Sequence, residues 1–165
     1  MNNLMIAAAA ASALVASSAS DARPVLSSRA AAALVQPYYD AVTGLTPERV
    51  RASAEAVTTA SWHNCSDEGV CETRDQAIKR WSGIRKLIPD VSIVIREVLV
   101  SGNKIVVRGE MTGTPAKAIF GVEPHGRSFK VMTTDIHELA GSKIAHSYHL
   151  ENWGRGIEQL RGISH

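Results

Sequence analysis

From Ser128 to Leu139 the chain reads SFKVMTTDIHEL. Side chains of a strand alternate between its faces. A strand here sends Phe129, Val131, Thr133, Asp135 and His137 to one side, and Lys130, Met132, Thr134, Ile136 and Glu138 to the other. The first set begins apolar and ends in two ionisable groups. A carboxylate in apolar surroundings is costly to ionise, so burial raises its pKa. A carboxyl raised in this way can remove a proton from the carbon beside a carbonyl and return it elsewhere. Asp135 is therefore the leading acid/base candidate, with His137 on the same face. In the next strand candidate, residues 143–151 (KIAHSYHLE), the apolar company of Ile144 and Leu150 argues that Tyr148 faces inward and His149 outward. A buried Tyr hydroxyl needs a partner, and Tyr148 can donate to a substrate oxygen or to Asp135. Upstream, Trp62 and His63 close a short β-like stretch. In place of Tyr148, a histidine among His63 and His137 is suited to polarising a carbonyl.

Other chemistries find little support. There is no Gly-rich phosphate loop and no GxSxG, and none of the six His residues sits in HExxH spacing, so no cofactor is expected. Two cysteines, Cys65 and Cys71, lie in CSDEGVC. A disulfide is the natural reading in an exported chain, with a free-thiol pair or a metal site as alternatives. A metal would need more ligands than the pair and nearby His63, and none is expected. The net charge is +2, and the basic residues are scattered, as in Lys79-Arg80 and Arg127 with Lys130. Such a pattern is a solvated surface and not a nucleic-acid footprint.

These candidates need elements to hold them. Residues 1–22 carry an apolar run from Leu4 to Ala16, followed by small residues. The run is too short to span a bilayer and reads as a signal peptide cleaved after Ser20 or Ala22, although Met1-Asn2-Asn3 lacks a basic residue. The mature domain is then 23–165, with no stable membrane span and a periplasmic or secreted location. Ser27 or Ser28 caps a helix through Val42, with Pro37 as a kink or true start. Thr46-Pro47-Glu48 opens a second helix. Thr73 with Gln76 opens a third, whose stripe of Ala77, Ile78, Trp81, Ile84, Leu87 and Ile88 runs to Pro89. The period then changes to two. Residues 91–100 and 104–114 flank Gly102-Asn103 as a hairpin, and 128–139 and 143–151 follow, with a short helix over 154–160. Helices first and antiparallel strands after argue α+β.

Residues 112–160 carry a series of spaced features: Gly113-Thr114, Phe120-Gly121-Val122, Pro124-His125-Gly126-Arg127, Asp135, Gly141 with Lys143-Ile144, Tyr148, and Gln159-Leu160. Upstream stand Tyr38-Tyr39-Asp40 and Trp62-His63. This series resembles the SnoaL-like polyketide cyclase (ester cyclase) branch of the nuclear-transport-factor-2-like superfamily. The resemblance implies a cone-shaped curved antiparallel sheet with helices packed on its concave face, enclosing one pocket. It implies a cofactor-free aldol-type cyclisation in which Asp135 is the acid/base, with Tyr39 and His63 near pocket positions. The expected pocket walls are Tyr39, Trp62, Trp81, Phe120, Phe129, Val131 and Thr133. The implied partner is a small apolar carbonyl compound, and the resemblance also admits a homodimer. Pro115 stands where the family commonly has His, Tyr148 where it has Trp, and Asn152 where it has Asp. The alternative is an exported small-molecule-binding protein with the same pocket and no chemistry.

Overall fold

The computed structural model describes residues 26–163; the expected signal peptide lies outside them. Helix α1 spans Ser28–Val42, and the Ser27 hydroxyl accepts from the Ala30 N–H at its start. Its buried face repeats at helical spacing through Ala31, Val35, Tyr38 and Val42. Pro37 sits inside the helix and neither starts nor breaks it. Helix α2, Pro47–Val57, opens with the Thr46 cap and Pro at its first position. Helix α3 is shorter than the apolar periodicity predicts. It spans Arg74–Trp81 under a Thr73–Gln76 capping box, the chain breaks at Ser82-Gly83, and Ile84–Leu87 forms a separate turn, α4.

Six strands form one curved sheet in the order β2-β1-β6-β5-β4-β3. Strand β1 is Thr58–Asp67 and β2 is Val70–Thr73. The Cys segment is thus a hairpin, with Cys65 directly opposite Cys71 and the two joined by a disulfide. Strands β3 (Ser92–Ser101), β4 (Lys104–Gly113), β5 (Phe129–Ala140) and β6 (Lys143–Glu151) pair antiparallel in succession. Strand β1 returns alongside β6 in parallel. Helix α5, Trp153–Arg161, closes the chain, and Gly162 ends it in the left-handed conformation that glycine adopts freely.

The helices cover the inward face of the sheet. Val35, Tyr38, Trp62, Trp81, Ile105, Val107 and Ile144 form one part of the core. Ile88, Met111, Phe129, Val131 and Leu160 form the other. The connection from α4 runs close to the end of β4: a Cβ on Gly113 would come within 2.3 Å of an Ile88 methyl. Among the described residues, no helix is long and apolar enough to cross a membrane.

One irregularity decides what the site contains. Glu138 pairs with His146, while the next residue, Leu139, pairs with Ile144, leaving Ala145 as an extra residue in β6. An inserted residue moves every later side chain to the opposite face. Ile144 therefore points inward, and so do Ser147, His149 and Glu151. Tyr148 and Leu150 turn outward, 43% and 65% exposed.

Candidate active site

Strands β5 and β6 place three inward pairs in register: Thr133 with Glu151, Asp135 with His149, and His137 with Ser147. Directly opposite residues on one face are close enough to bond through short side chains. His149 Nδ1 lies 2.6 Å from Asp135 Oδ1, and its Nε2 lies 3.1 Å from Glu151 Oε1. Helix α1 lowers Tyr39 onto the same spot, where its hydroxyl donates to Asp135 Oδ2 at 2.9 Å. The same hydroxyl is 3.3 Å from His137 Nε2. His137 Nδ1 is 2.8 Å from Ser147 Oγ, which accepts from Trp62 Nε1 at 3.0 Å. Trp153 Nε1 donates to Glu151 Oε2.

The donors and acceptors allow one consistent direction along this chain. Indole N–H can only donate. The ionised Asp135 carboxylate can only accept, so the Tyr39 proton goes to it. The Tyr39 oxygen then accepts from His137, which carries its proton on Nε2. The bare Nδ1 of that neutral ring accepts from the Ser147 hydroxyl, which itself accepts from Trp62. At the other end, His149 donates from both nitrogens, to Asp135 and to Glu151. Asp135, His137 and Ser147 have no exposed surface, and their partners leave no orphan among them.

Electrostatics agree with this assignment. Burial pushes the Asp135 carboxyl up, but the bond and charge of His149 and the Tyr39 hydroxyl outweigh it, so its pKa lies below the ordinary value. The expectation of a raised, catalytically dry Asp135 is thus corrected: burial is complete, but a cation sits beside it. Burial opposes charging His149 as well, yet its two carboxylate partners push it up to about 10. It is an imidazolium at neutral pH. Burial pulls His137 down to about 4, so that ring is neutral. Glu151 is pushed up by burial but held below its ordinary value by His149, Trp153 and Arg80. Burial and the Asp135 charge push the Tyr39 phenol well up.

A cavity of about 420 Å³ opens between α1, α3, the 119–120 turn and β6. Val42, Trp81, Ile84, Leu87, Ile88, Met111, Ile119, Phe120 and Trp153 make its apolar wall. Its polar end holds Tyr38, Arg80, His149 and Glu151. The Tyr38 phenol is raised by burial and by the charges of Asp135, Glu72 and Glu151, and lowered by Arg80, which puts it at the charged end. Arg80 itself is tied to Glu72, whose Oε1 also accepts from Asn64 Nδ2 at 3.0 Å.

The expected residues fall into four groups. Trp81 and Phe120 line the cavity; Phe120 adopts a left-handed backbone (φ 51°) and leans on Trp153, with ring centroids 4.8 Å apart. Asp135, His137, Tyr39 and Trp62 come together in the buried chain behind it. Phe129, Val131 and Thr133 are core beneath the helices and do not line it. Two catalytic candidates lie elsewhere. Tyr148 is on the outer face because of the Ala145 bulge, stacked near His146. His63 is exposed on the outward side of β1, opposite Thr73. Tyr38, Arg80, His149, Glu151 and Trp153 were not anticipated. Their one signal in the sequence is that a buried Asp135 demands a cation on the facing strand, and a histidine on β6 is the nearest that can supply it.

The model of the SnoaL-like polyketide cyclase family matches residues 33–160, and the chain belongs to that family. No curated protein matches the sequence. Several solved structures share its nuclear-transport-factor-2/ketosteroid isomerase-like fold. TsrD from Streptomyces laurentii is 18% identical with a TM-score of 0.68, over 84% of this chain and 99% of TsrD. A SnoaL-like polyketide cyclase from Agrobacterium tumefaciens is 12% identical with a TM-score of 0.63, over 77% of this chain and 94% of its own. A protein of ketosteroid isomerase-like fold from Catenulispora acidiphila, solved in complex with trimethylamine, is 17% identical with a TM-score of 0.61, over 78% and 92%.

Proposed function

We propose that this protein is a cofactor-free acid/base enzyme that moves a proton at the carbon beside a carbonyl in a small apolar compound, leading to cyclisation or isomerisation. One observation carries the reading. A charged chain, Asp135–His149–Glu151, runs from the closed core to the polar end of an otherwise apolar cavity. Family membership supports it.

In this reading the substrate's apolar body lies against Trp81, Ile84, Leu87, Met111 and Trp153. Glu151, ionised at neutral pH, takes the α-proton. The imidazolium of His149 keeps the carboxylate placed, and Asp135 keeps His149 charged throughout. The Tyr38 hydroxyl, which has no hydrogen-bond partner among the described residues, and the Arg80 guanidinium face the same volume and can hold the enolate oxygen. Glu151 then returns the proton at another carbon or to the new alkoxide, which becomes a hydroxyl. Asp135 acts through His149 and is a positioning residue. Such electrostatic placement in a dry site is a large share of what cofactor-free proton transfer requires. We further propose export, for which the disulfide and the 1–22 segment are the support.

Exchange of the α-protons of a small apolar aryl methyl ketone into D2O, followed by NMR, tests the chemistry without knowledge of the natural substrate. The native protein should accelerate exchange, and Glu151→Gln should lose about 10²–10⁴-fold. Exchange by Glu151→Gln within twofold of native would sink the assignment. A second reading, a binding protein without chemistry, has its own support: both nitrogens of His149 and the oxygens of Asp135 are already occupied. It predicts that the native protein binds the ketone and leaves its exchange rate unchanged.

A further inference from the structure

On the outer face of the sheet, away from the cavity, a second cluster of donor atoms is assembled by backbone pairing. Cys65 and Cys71 are cross-strand partners in the β1–β2 hairpin. The parallel β1–β6 pairing sets Tyr148 beside Cys65 and His146 beside His63. His146 Nε2 lies 3.2 Å from Cys65 Sγ. The two sulfurs and one imidazole nitrogen all fall within 4.8 Å of one another. The His146 ring is held by Tyr148, with centroids 4.6 Å apart and planes inclined by 31°. Beside them lies a cavity of about 380 Å³, bordered by Asp67, Glu68, Tyr148 and Leu150.

We propose that reduction of this disulfide turns the corner into a Cys2His site for a soft d¹⁰ cation such as Zn2+. A dithiol reductant would carry out the first step. Its two thiols become a disulfide, the Cys65–Cys71 bond takes up two electrons and two protons, and two thiols result. The cation then displaces the two thiol protons and binds two thiolates and His146 Nε2. Zn2+ takes sulfur at about 2.3 Å and nitrogen at about 2.0–2.1 Å in a tetrahedron. Donors already within a few ångströms need only side-chain rotation to surround it. The hydrogen-bonded strands hold the three Cα positions with or without the S–S bond. The fourth position opens on the cavity, to water or to the carboxylates of Asp67 and Glu68. The oxidised form has no thiolates and binds no such cation, so oxidation state selects between bridge and metal.

The test uses the full chain, oxidised or reduced with a phosphine and freed of reductant, titrated with Zn2+ against a chromophoric chelator while circular dichroism follows the fold. The reduced protein should remain folded and take one Zn2+ per chain, and the oxidised protein should compete no better than buffer. His146→Ala should weaken binding by about tenfold or more, since it removes one of three protein ligands. Three results would overturn the proposal. These are loss of the fold on reduction, binding by the reduced protein no tighter than by a Cys65→Ser/Cys71→Ser variant, or equal binding by His146→Ala and the native chain.

Discussion

Asp135→Asn separates the charge of the buried site from its hydrogen bonding. In the native protein His149 bridges two carboxylates, at 2.6 Å to Asp135 and 3.1 Å to Glu151. Asparagine has the same shape and still accepts from Tyr39 through its oxygen, but it turns an amide N–H toward His149 Nδ1. The ring can meet that donor only by releasing the Nδ1 proton and keeping the one that it gives to Glu151. The variant should therefore fold with a neutral His149, its pKa dropping from about 10 toward the ordinary 6.5, because burial now opposes the charge with one carboxylate fewer to support it. Breaking a buried pair costs about 3–5 kcal/mol when the survivor is left uncompensated. The new amide–imidazole bond returns about 1 kcal/mol. A loss of about 2–4 kcal/mol near neutral pH is expected from these two effects. The pH dependence follows from linkage. The folded pKa of His149 is raised, so its contribution is complete below the ordinary imidazole value and is lost as pH rises through about 10. His137 is depressed to about 4, so stability falls as pH drops from the ordinary 6.5 toward that value. Asp135, held below 3.8, gives up its contribution only at still lower pH. Native stability should peak near the ordinary imidazole pKa of about 6.5, and the gap to Asp135→Asn should close as pH approaches about 10. Urea denaturation read by Trp fluorescence gives the gap, and imidazole NMR gives the His149 titration. An Asn variant as stable as native near neutrality, a gap unchanged up to about pH 10, or a His149 that still titrates near its native value would refute the charge-bridge account.

Ser147→Ala removes the shared partner of Trp62 Nε1 and His137 Nδ1, both buried. Two orphaned groups should cost about 3 kcal/mol in urea denaturation, and a loss below about 0.5 kcal/mol would count against the directional chain. Export predicts that a secretion-competent host releases the chain without residues 1–20 or 1–22. Intact mass reads this directly, and full-length protein recovered from the cytoplasm alone would oppose it.

Local chemistry in the sequence was enough for much of the scaffold. The Ser27 and Thr46 caps, Pro47 at a first helical position and the Thr73–Gln76 box each act within a few residues, and each stands where the sequence places it. The Gly102-Asn103 turn and the period-two runs gave β3, β4, β5 and β6 within a residue or two. Asp135 and His137 fell on the inward face, because β5 keeps an unbroken alternation. The Cys pair was legible as a disulfide, but not the hairpin around it, since β2 has four residues and little apolar pattern. The break between α3 and α4 was hidden because an apolar stripe continues across Ser82-Gly83.

The decisive content of the site lay beyond local reasoning. On β6, Ile144 and Leu150 suggested one inward face; the extra Ala145 divides them, sending Tyr148 out and His149 and Glu151 in. A bulge is a property of pairing with a neighbouring strand, and nothing in KIAHSYHLE announces it. The pKa direction of Asp135 depended largely on the same event, because burial alone raises a carboxyl and it is chiefly the cation on the facing strand that reverses it. The cavity likewise gathers α1, α3, the 119–120 turn and β6, residues more than a hundred positions apart. Sequence periodicity reports which side of an element is apolar. Only the packed sheet decides which sides meet.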